Sequence, residues 1–222
     1  MTALVTSAVP FSIRKKIADE IMKTEAACEQ VGFLSFNDCV ELDMTGGEFC
    51  GNAAMCAAAA GFLKDKSADT VNSGQSMKVR ICGAEYQVNV LQLSSKDFEC
   101  KLFTNTVPEG IKHTVVEGLP EKKQAEAEIK ALPGEEAKGM MFLNGTDLIP
   151  LVYVPKADTL FWENSCASGS LAVGQYLYEK TKKPVDVELS MPGGKLSVKC
   201  DEGGLVLKEK IRIVSETSLF VV

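Results

Sequence analysis

From Gly51 to Lys64 the chain reads as a helix walled with alanine, at Ala53, Ala54 and Ala57 to Ala60. Alanine favours helix intrinsically, and its small side chain lets other backbone approach closely from any direction. Such a segment fits a buried central helix better than a surface one. A second helix of this kind is expected from Ser168 to Lys180, opening Ser-Gly-Ser-Leu-Ala-Val-Gly. Two buried helices in 222 residues leave room for two units around them. The expected class is α+β, with two pseudo-symmetric domains, each a mostly antiparallel sheet or open barrel wrapped around its central helix.

The rest of the chain supplies the covering elements. Ile13, Ile17, Ile21 and Met22 are near helical spacing, which predicts an amphipathic helix over Phe11 to Gln30 with Ser12 as N-cap. Strands are expected at 31–36, 39–44, 76–82, 85–93 and 98–103 in the first half. The second half should hold strands at 140–143, 148–154, 186–189, 195–200, 205–208 and 211–214. Pro120 to Ala137, rich in Glu, Lys and Ala, reads as an exposed helix between loop signals. The two halves repeat: each has a Gly-flanked cysteine, a small-residue helix and then alternating strands. Cys50 to Cys82 spans 32 residues and Cys166 to Cys200 spans 34, which sets Ser76–Gly83 beside Lys195–Asp201. The expected domains are 1–110 with Cys50 and 111–222 with Cys166, the terminal strand free to return to the first domain.

Bulk properties narrow the function. A net charge of −6, from 24 basic and 30 acidic residues, argues against a nucleic-acid surface. No apolar stretch approaches the roughly 20 residues of a membrane span, and the first residues lack the basic region of a signal peptide. A cytoplasmic location is the expectation. The eight cysteines, at 28, 39, 50, 56, 82, 100, 166 and 200, include no Cys-x-x-Cys pair, so neither structural zinc nor a disulfide framework is indicated. No metal site is expected. Cys28, Cys39, Cys56, Cys82, Cys100 and Cys200 read as buried small hydrophobes, and the single histidine, His113, as a surface loop residue.

Cys50 and Cys166 are different, because each stands where a Gly/Ser-rich turn enters a small-residue helix. Unpaired N–H groups and the positive end of the dipole stabilise a thiolate at a helix N-terminus. One activated thiol suggests a nucleophile, whereas two in matched settings suggest a base and an acid. A thiolate on one face of an amino-acid Cα can remove its proton while a thiol on the other face delivers a new one. Amides at Gly51-Asn52 and Ala167-Ser168 are well placed to hold the substrate carboxylate as charge develops. This scheme needs no cofactor, and no signature of a pyridoxal site is present.

The same residues resemble a known family. Glu48-Phe-Cys-Gly-Asn-Ala is similar to the first cysteine motif of diaminopimelate epimerase and its relatives, the cofactor-independent amino-acid racemases and epimerases. Asn164-Ser-Cys-Ala-Ser-Gly-Ser resembles their second motif, Cys-Gly-Ser/Thr-Gly, and Met191-Pro-Gly-Gly-Lys-Leu-Ser-Val a turn and strand late in that fold. The resemblance implies a two-domain fold, a dyad-related thiol pair at Cys50 and Cys166, and a small amino-acid substrate with its carboxylate on the two helix starts. Glu48 and Asn164 become candidate substrate contacts, and a homodimer is the family-level expectation. There are departures: Ala167 stands where glycine is usual, no arginine follows Glu163, and Leu148-Ile-Pro-Leu lacks the family's histidine. A substrate other than diaminopimelate follows, with a neutral or basic side chain. Two alternatives stay open, an isomerase of a small unsaturated carboxylic acid and a non-catalytic binding member of the family.

Overall fold

Both halves of the chain run through one order of elements. The computed structural model describes residues 1–65 and 73–218. The first half gives β1 (Thr2–Val5), α1 (Phe11–Thr24), β2 (Gln30–Phe36), β3 (Val40–Met44), α2 (Gly51–Asp65), β4 (Gly74–Ile81), β5 (Ala84–Gln92) and β6 (Asp97–Thr104). The second gives β7 (Ile111–Glu117), α3 (Lys122–Ala131), β8 (Ala137–Asn144), β9 (Asp147–Val154), β10 (Thr159–Trp162), α4 (Ala167–Thr181), β11 (Val185–Met191), β12 (Gly194–Asp201) and β13 (Gly204–Arg212). Pairing repeats with the order. β1 and β2 are parallel, as are β7 and β8. β2 with β3 is antiparallel, as is β8 with β9. Parallel β3 and β4 correspond to parallel β9 and β11, and the β4–β5 hairpin to the β11–β12 hairpin. β10 is an addition, antiparallel to β9. The α+β expectation holds.

By contact the chain forms two compact units. One takes Met1–Thr45, Ala53–Leu102 and Glu209–Val222, and the other Gly46–Asn52 and Phe103–Lys208. In the first, Ala53, Ala54, Ala57 and Ala58 of α2 are fully buried, as the alanine wall requires. Phe62 of the same helix meets Phe98 edge-on at 6.2 Å. α1 covers β2, with Ala18 and Ile21 against Val31 and Phe33.

In the second unit β8 carries helices on both faces. Ala125 and Ile129 of α3 pack on Met140, Phe142 and Leu151, while α4 packs on β7, β8, β11 and β12. A strand buried on both sides reads as an unbroken apolar run, and Ala137 to Leu143 is buried throughout. Burying the Ile129 side chain contributes about 1.5–3 kcal/mol. The expected exposed helix is shorter than predicted, Lys122–Ala131, and buries only Ala125 and Ile129.

Other differences have local causes. α1 starts after Pro10 rather than on a Ser12 cap, because the proline already holds the φ of −57° that the entry needs. It ends at Thr24, since the chain must turn there to seat Cys28 in the core of α1 and β2. β13 is continuous where two strands were expected, because polar residues at 208–210 do not interrupt a backbone ladder. β1, β7 and β10 lack the length or clean alternation that marks a strand in sequence. Cys82 is exposed at a φ of +53° in the β4–β5 turn, and Cys39 and Cys56 are only half buried. Beside them, Cys28, Cys100 and Cys200 are buried as expected. The matched cysteine spacings compare unlike strands: Cys82 follows the first strand after α2, whereas Cys200 lies in the second after α4. Among the described residues no helix is long and apolar enough to cross a membrane.

Candidate active site

Cys50 is the residue immediately before α2, and Cys166 is the N-cap of α4, extended at φ −132° and ψ 102°. Both are buried thiols. The segment 46–52 belongs by contact to the second unit, so the two cysteine motifs share it. Asn52 joins them: its Nδ2 donates to the Ser165 carbonyl at 2.8 Å and its Oδ1 accepts from the Ala167 amide at 3.0 Å. The helix starts touch closely. A Cβ on Gly51 would lie 2.7 Å from the Ala167 Cβ and 3.4 Å from the Ser168 amide nitrogen. Gly51 is glycine because Ala167 fills the space, and Ala167 is where the resemblance expects a glycine.

Each residue of Cys166-Ala-Ser-Gly-Ser has a separate task. Ser170 donates its hydroxyl to the Cys166 carbonyl at 2.7 Å, tightening the first turn. Gly169 leaves room for Met141, whose Sδ would be 2.1 Å from a Cβ there. Ser168 stands with its Oγ 3.7 Å from the Cys166 sulfur. The Cys166 amide donates to Met191 Sδ at 3.4 Å. Gly193, in the turn after Met191, donates its amide to the Asn164 carbonyl at 2.7 Å. A Cβ at Gly193 would meet that carbonyl at 2.9 Å. The Pro-Gly-Gly turn thus braces the loop that delivers the second cysteine.

His113 is not a surface loop residue. It lies on β7, pairs in register with Gly139 of β8, and brings Nε2 to 3.0 Å from Ser168 Oγ. Its Nδ1 is buried without a hydrogen-bond partner, and burial pushes the ring pKa down to about 4. The polar residues of 111–117 masked the strand, and with it the histidine. One signal was available: Val31-Gly-Phe-Leu resembles Lys138-Gly-Met-Met, which aligns Gly139 with Gly32 and so His113 with the strand residue facing it.

Burial raises the Cys166 thiol well above its ordinary value, and the charge of Glu163 and a hydrogen bond to it push the same way. The Gly169 amide and the Ser168 hydroxyl oppose them. Glu48 sits in the loop before Cys50 with its carboxyl pKa raised by burial, against amides of its own residue and Gly46. Its Oε2 is buried without a partner. Asn164 is exposed, with its backbone on Gly193. Among the described residues no three His, Cys, Asp or Glu side chains gather as a metal site.

Known proteins share both sequence and shape with this arrangement. A family profile described as the histidine racemase CntK N-terminal domain matches residues 1–123 and again 109–220. A histidine racemase of Fusobacterium nucleatum is 30% identical over 93% of this chain and 86% of its own length. One from Staphylococcus aureus is 30% identical over 89% of this chain and 84% of its own. The structure of a probable proline racemase from Agrobacterium radiobacter superposes with a TM-score of 0.58 at 9% identity, covering 99% of this chain and 90% of that one. At that identity the likeness is one of fold, and the fold is the epimerase-like one expected from the cysteine motifs.

Proposed function

The chain belongs to the histidine racemase CntK family and is an isomerase of amino acids, and we propose that it racemises histidine without a cofactor through Cys50 and Cys166. Likeness to histidine racemases along 93% of the chain favours a catalytic member over the non-catalytic alternative. The histidine assignment follows the activity of the relatives. A basic or neutral side chain also agrees with the absence of an arginine beside Glu163.

In this mechanism one cysteine, as thiolate, takes the Cα proton, and the other, as thiol, returns a proton to the opposite face. The electron pair left at Cα is delocalised into the substrate carboxylate, so that group needs more stabilisation as the proton leaves. Amides of Gly51, Asn52 and Ser168 at the two helix starts supply it. Ala167 acts indirectly, because its own amide is committed to Asn52. After turnover the two thiols have exchanged protonation states, and the enzyme is poised for the reverse direction. Glu48, with Oε2 buried and unpartnered, is the candidate to meet a donor on the substrate, and exposed Asn164 is the second candidate contact.

The observation that carries the proposal is the double hydrogen bond of Asn52, which ties the start of α2 to the start of α4. Each cysteine adjoins one of these two helix starts. The test is solvent deuterium incorporation at Cα of L- and D-histidine, followed by NMR in reducing buffer, for the unaltered chain, Cys50→Ser and Cys166→Ser. Racemisation by the unaltered chain and its loss in both variants are expected. Full racemisation by either variant would sink the two-thiol mechanism.

A further inference from the structure

The two repeats differ behind their second helix residue. On β1, Leu4 pairs with Gly32; on β7, the residue that pairs with the corresponding Gly139 is His113. The half with Cys166 therefore carries a buried imidazole where the other carries an alkyl group. That ring lies directly over Gly139, where a Cβ would come within 2.2 Å of Nδ1 and 2.7 Å of Cε1. Glycine on β8 is what lets the ring lie flat enough to reach Ser168.

We infer that His113 is a positioning residue for Cys166: its Nε2–H donates to Ser168 Oγ, which turns the Ser168 hydroxyl proton toward the Cys166 sulfur. The inference rests on the proposal that Cys166 works in part as a thiolate. A serine hydroxyl has one proton and two lone pairs. If the ring takes a lone pair, the proton is left for the sulfur 3.7 Å away; if the ring takes the proton, the hydroxyl offers the sulfur only a lone pair. The state of Nδ1 decides between these. It is buried without a partner, and a buried acceptor left bare is commoner than an orphaned N–H. The ring proton therefore sits on Nε2. Burial also keeps the ring neutral through the working range, so there is a single N–H and a single direction. The hydroxyl then offsets part of the upward push that burial and Glu163 exert on Cys166.

The chain has one histidine, so tag-free protein labelled with 15N-histidine yields one pair of ring signals. The expected spectrum is a neutral ring protonated at Nε2, unchanged across the neutral range and recorded without substrate. Kinetics with L- and D-histidine supply the second readout, because Cys166 is the base for one of the two. His113→Leu should move the acid limb of kcat/KM up by about one pH unit, a tenfold loss of thiolate at fixed pH. His113→Gln, whose amide can donate in place of the ring, should recover at least half of that displacement. In a Ser168→Ala background His113→Leu should add nothing. A ring protonated at Nδ1, an acid limb unmoved for both enantiomers, or an equal displacement with and without Ser168 overturns the inference. Should His113→Leu fail to fold, the ring signals of the unaltered chain decide alone. Inactivity of the unaltered chain toward histidine would instead strike the proposed substrate and leave the ring signals readable.

Discussion

The Asn52 Oδ1 accepts the amide of Ala167 at 3.0 Å while its Nδ2 donates to the carbonyl of Ser165 at 2.8 Å. One side chain so satisfies both a donor and an acceptor of the other cysteine loop. Removing it strands two backbone groups, one of them on a residue 2% exposed. Asn52→Ala should cost about 2–6 kcal/mol, from two groups at roughly 1–3 kcal/mol each. Urea unfolding measures this. Asn52→Asp, which keeps the acceptor and places a negative charge near a helix N-terminus, should cost less.

Gly51 and Ala167 share space for a single Cβ. Gly51→Ala brings two Cβ atoms within 2.7 Å, which forces the helix starts apart. Racemase activity should fall at least about tenfold, as expected when catalytic groups are misplaced by a fraction of an ångström. Adding Ala167→Gly should restore most of it. A double variant no better than Gly51→Ala would contradict the packing account.

Two buried groups give stability of opposite pH dependence. The His113 pKa is pushed down to about 4 from 6.5 by burial, so its contribution is full above 6.5 and lost as pH falls through 4. Glu209 is pushed up to about 7 from 4.5, also by burial, so its contribution is full below 4.5 and lost as pH rises through 7. Relative to the unaltered chain, His113→Gln should lack an acid-side loss of up to about 3 kcal/mol. Glu209→Gln should lack a loss on the neutral side. Unfolding curves at several pH values separate the two.

Glu163 is the largest cause, after burial, of the high Cys166 pKa. Glu163→Gln removes the charge and should move the acid limb of kcat/KM toward lower pH for the histidine enantiomer whose base is Cys166. A shift toward higher pH would mean that Glu163 serves the substrate rather than the thiol.

The alanine wall, the turn glycines and the cysteine motifs were legible because each is a backbone requirement written directly in residue size. Ala53 to Ala60 announced a buried helix, and Cys50 and Cys166 announced helix starts. What could not be read was pairing across long separations. Nothing local to Asn52 indicates Ser165 as its partner, 113 residues away. Nothing local to Ile111–Glu117 marks a strand, since three of its seven residues are fully exposed. His113 was misread for that reason: its burial comes from Gly139 and Ser168, not from its neighbours in sequence. Cys82 was misread in the opposite sense, because a tight hairpin turn puts any residue outside.

The residues from Gly46 to Asn52 are drawn from the first half of the chain and packed with the second. Residues 103–208 expressed alone would own one thiol of the pair, Cys166, and leave the Ala167 amide without Asn52. The complementary piece, residues 1–102, would own Cys50 and lack the Ser165 and Ala167 backbone that Asn52 holds. On the two-thiol proposal neither piece alone can racemise, however well it folds, because each holds one thiol of the pair.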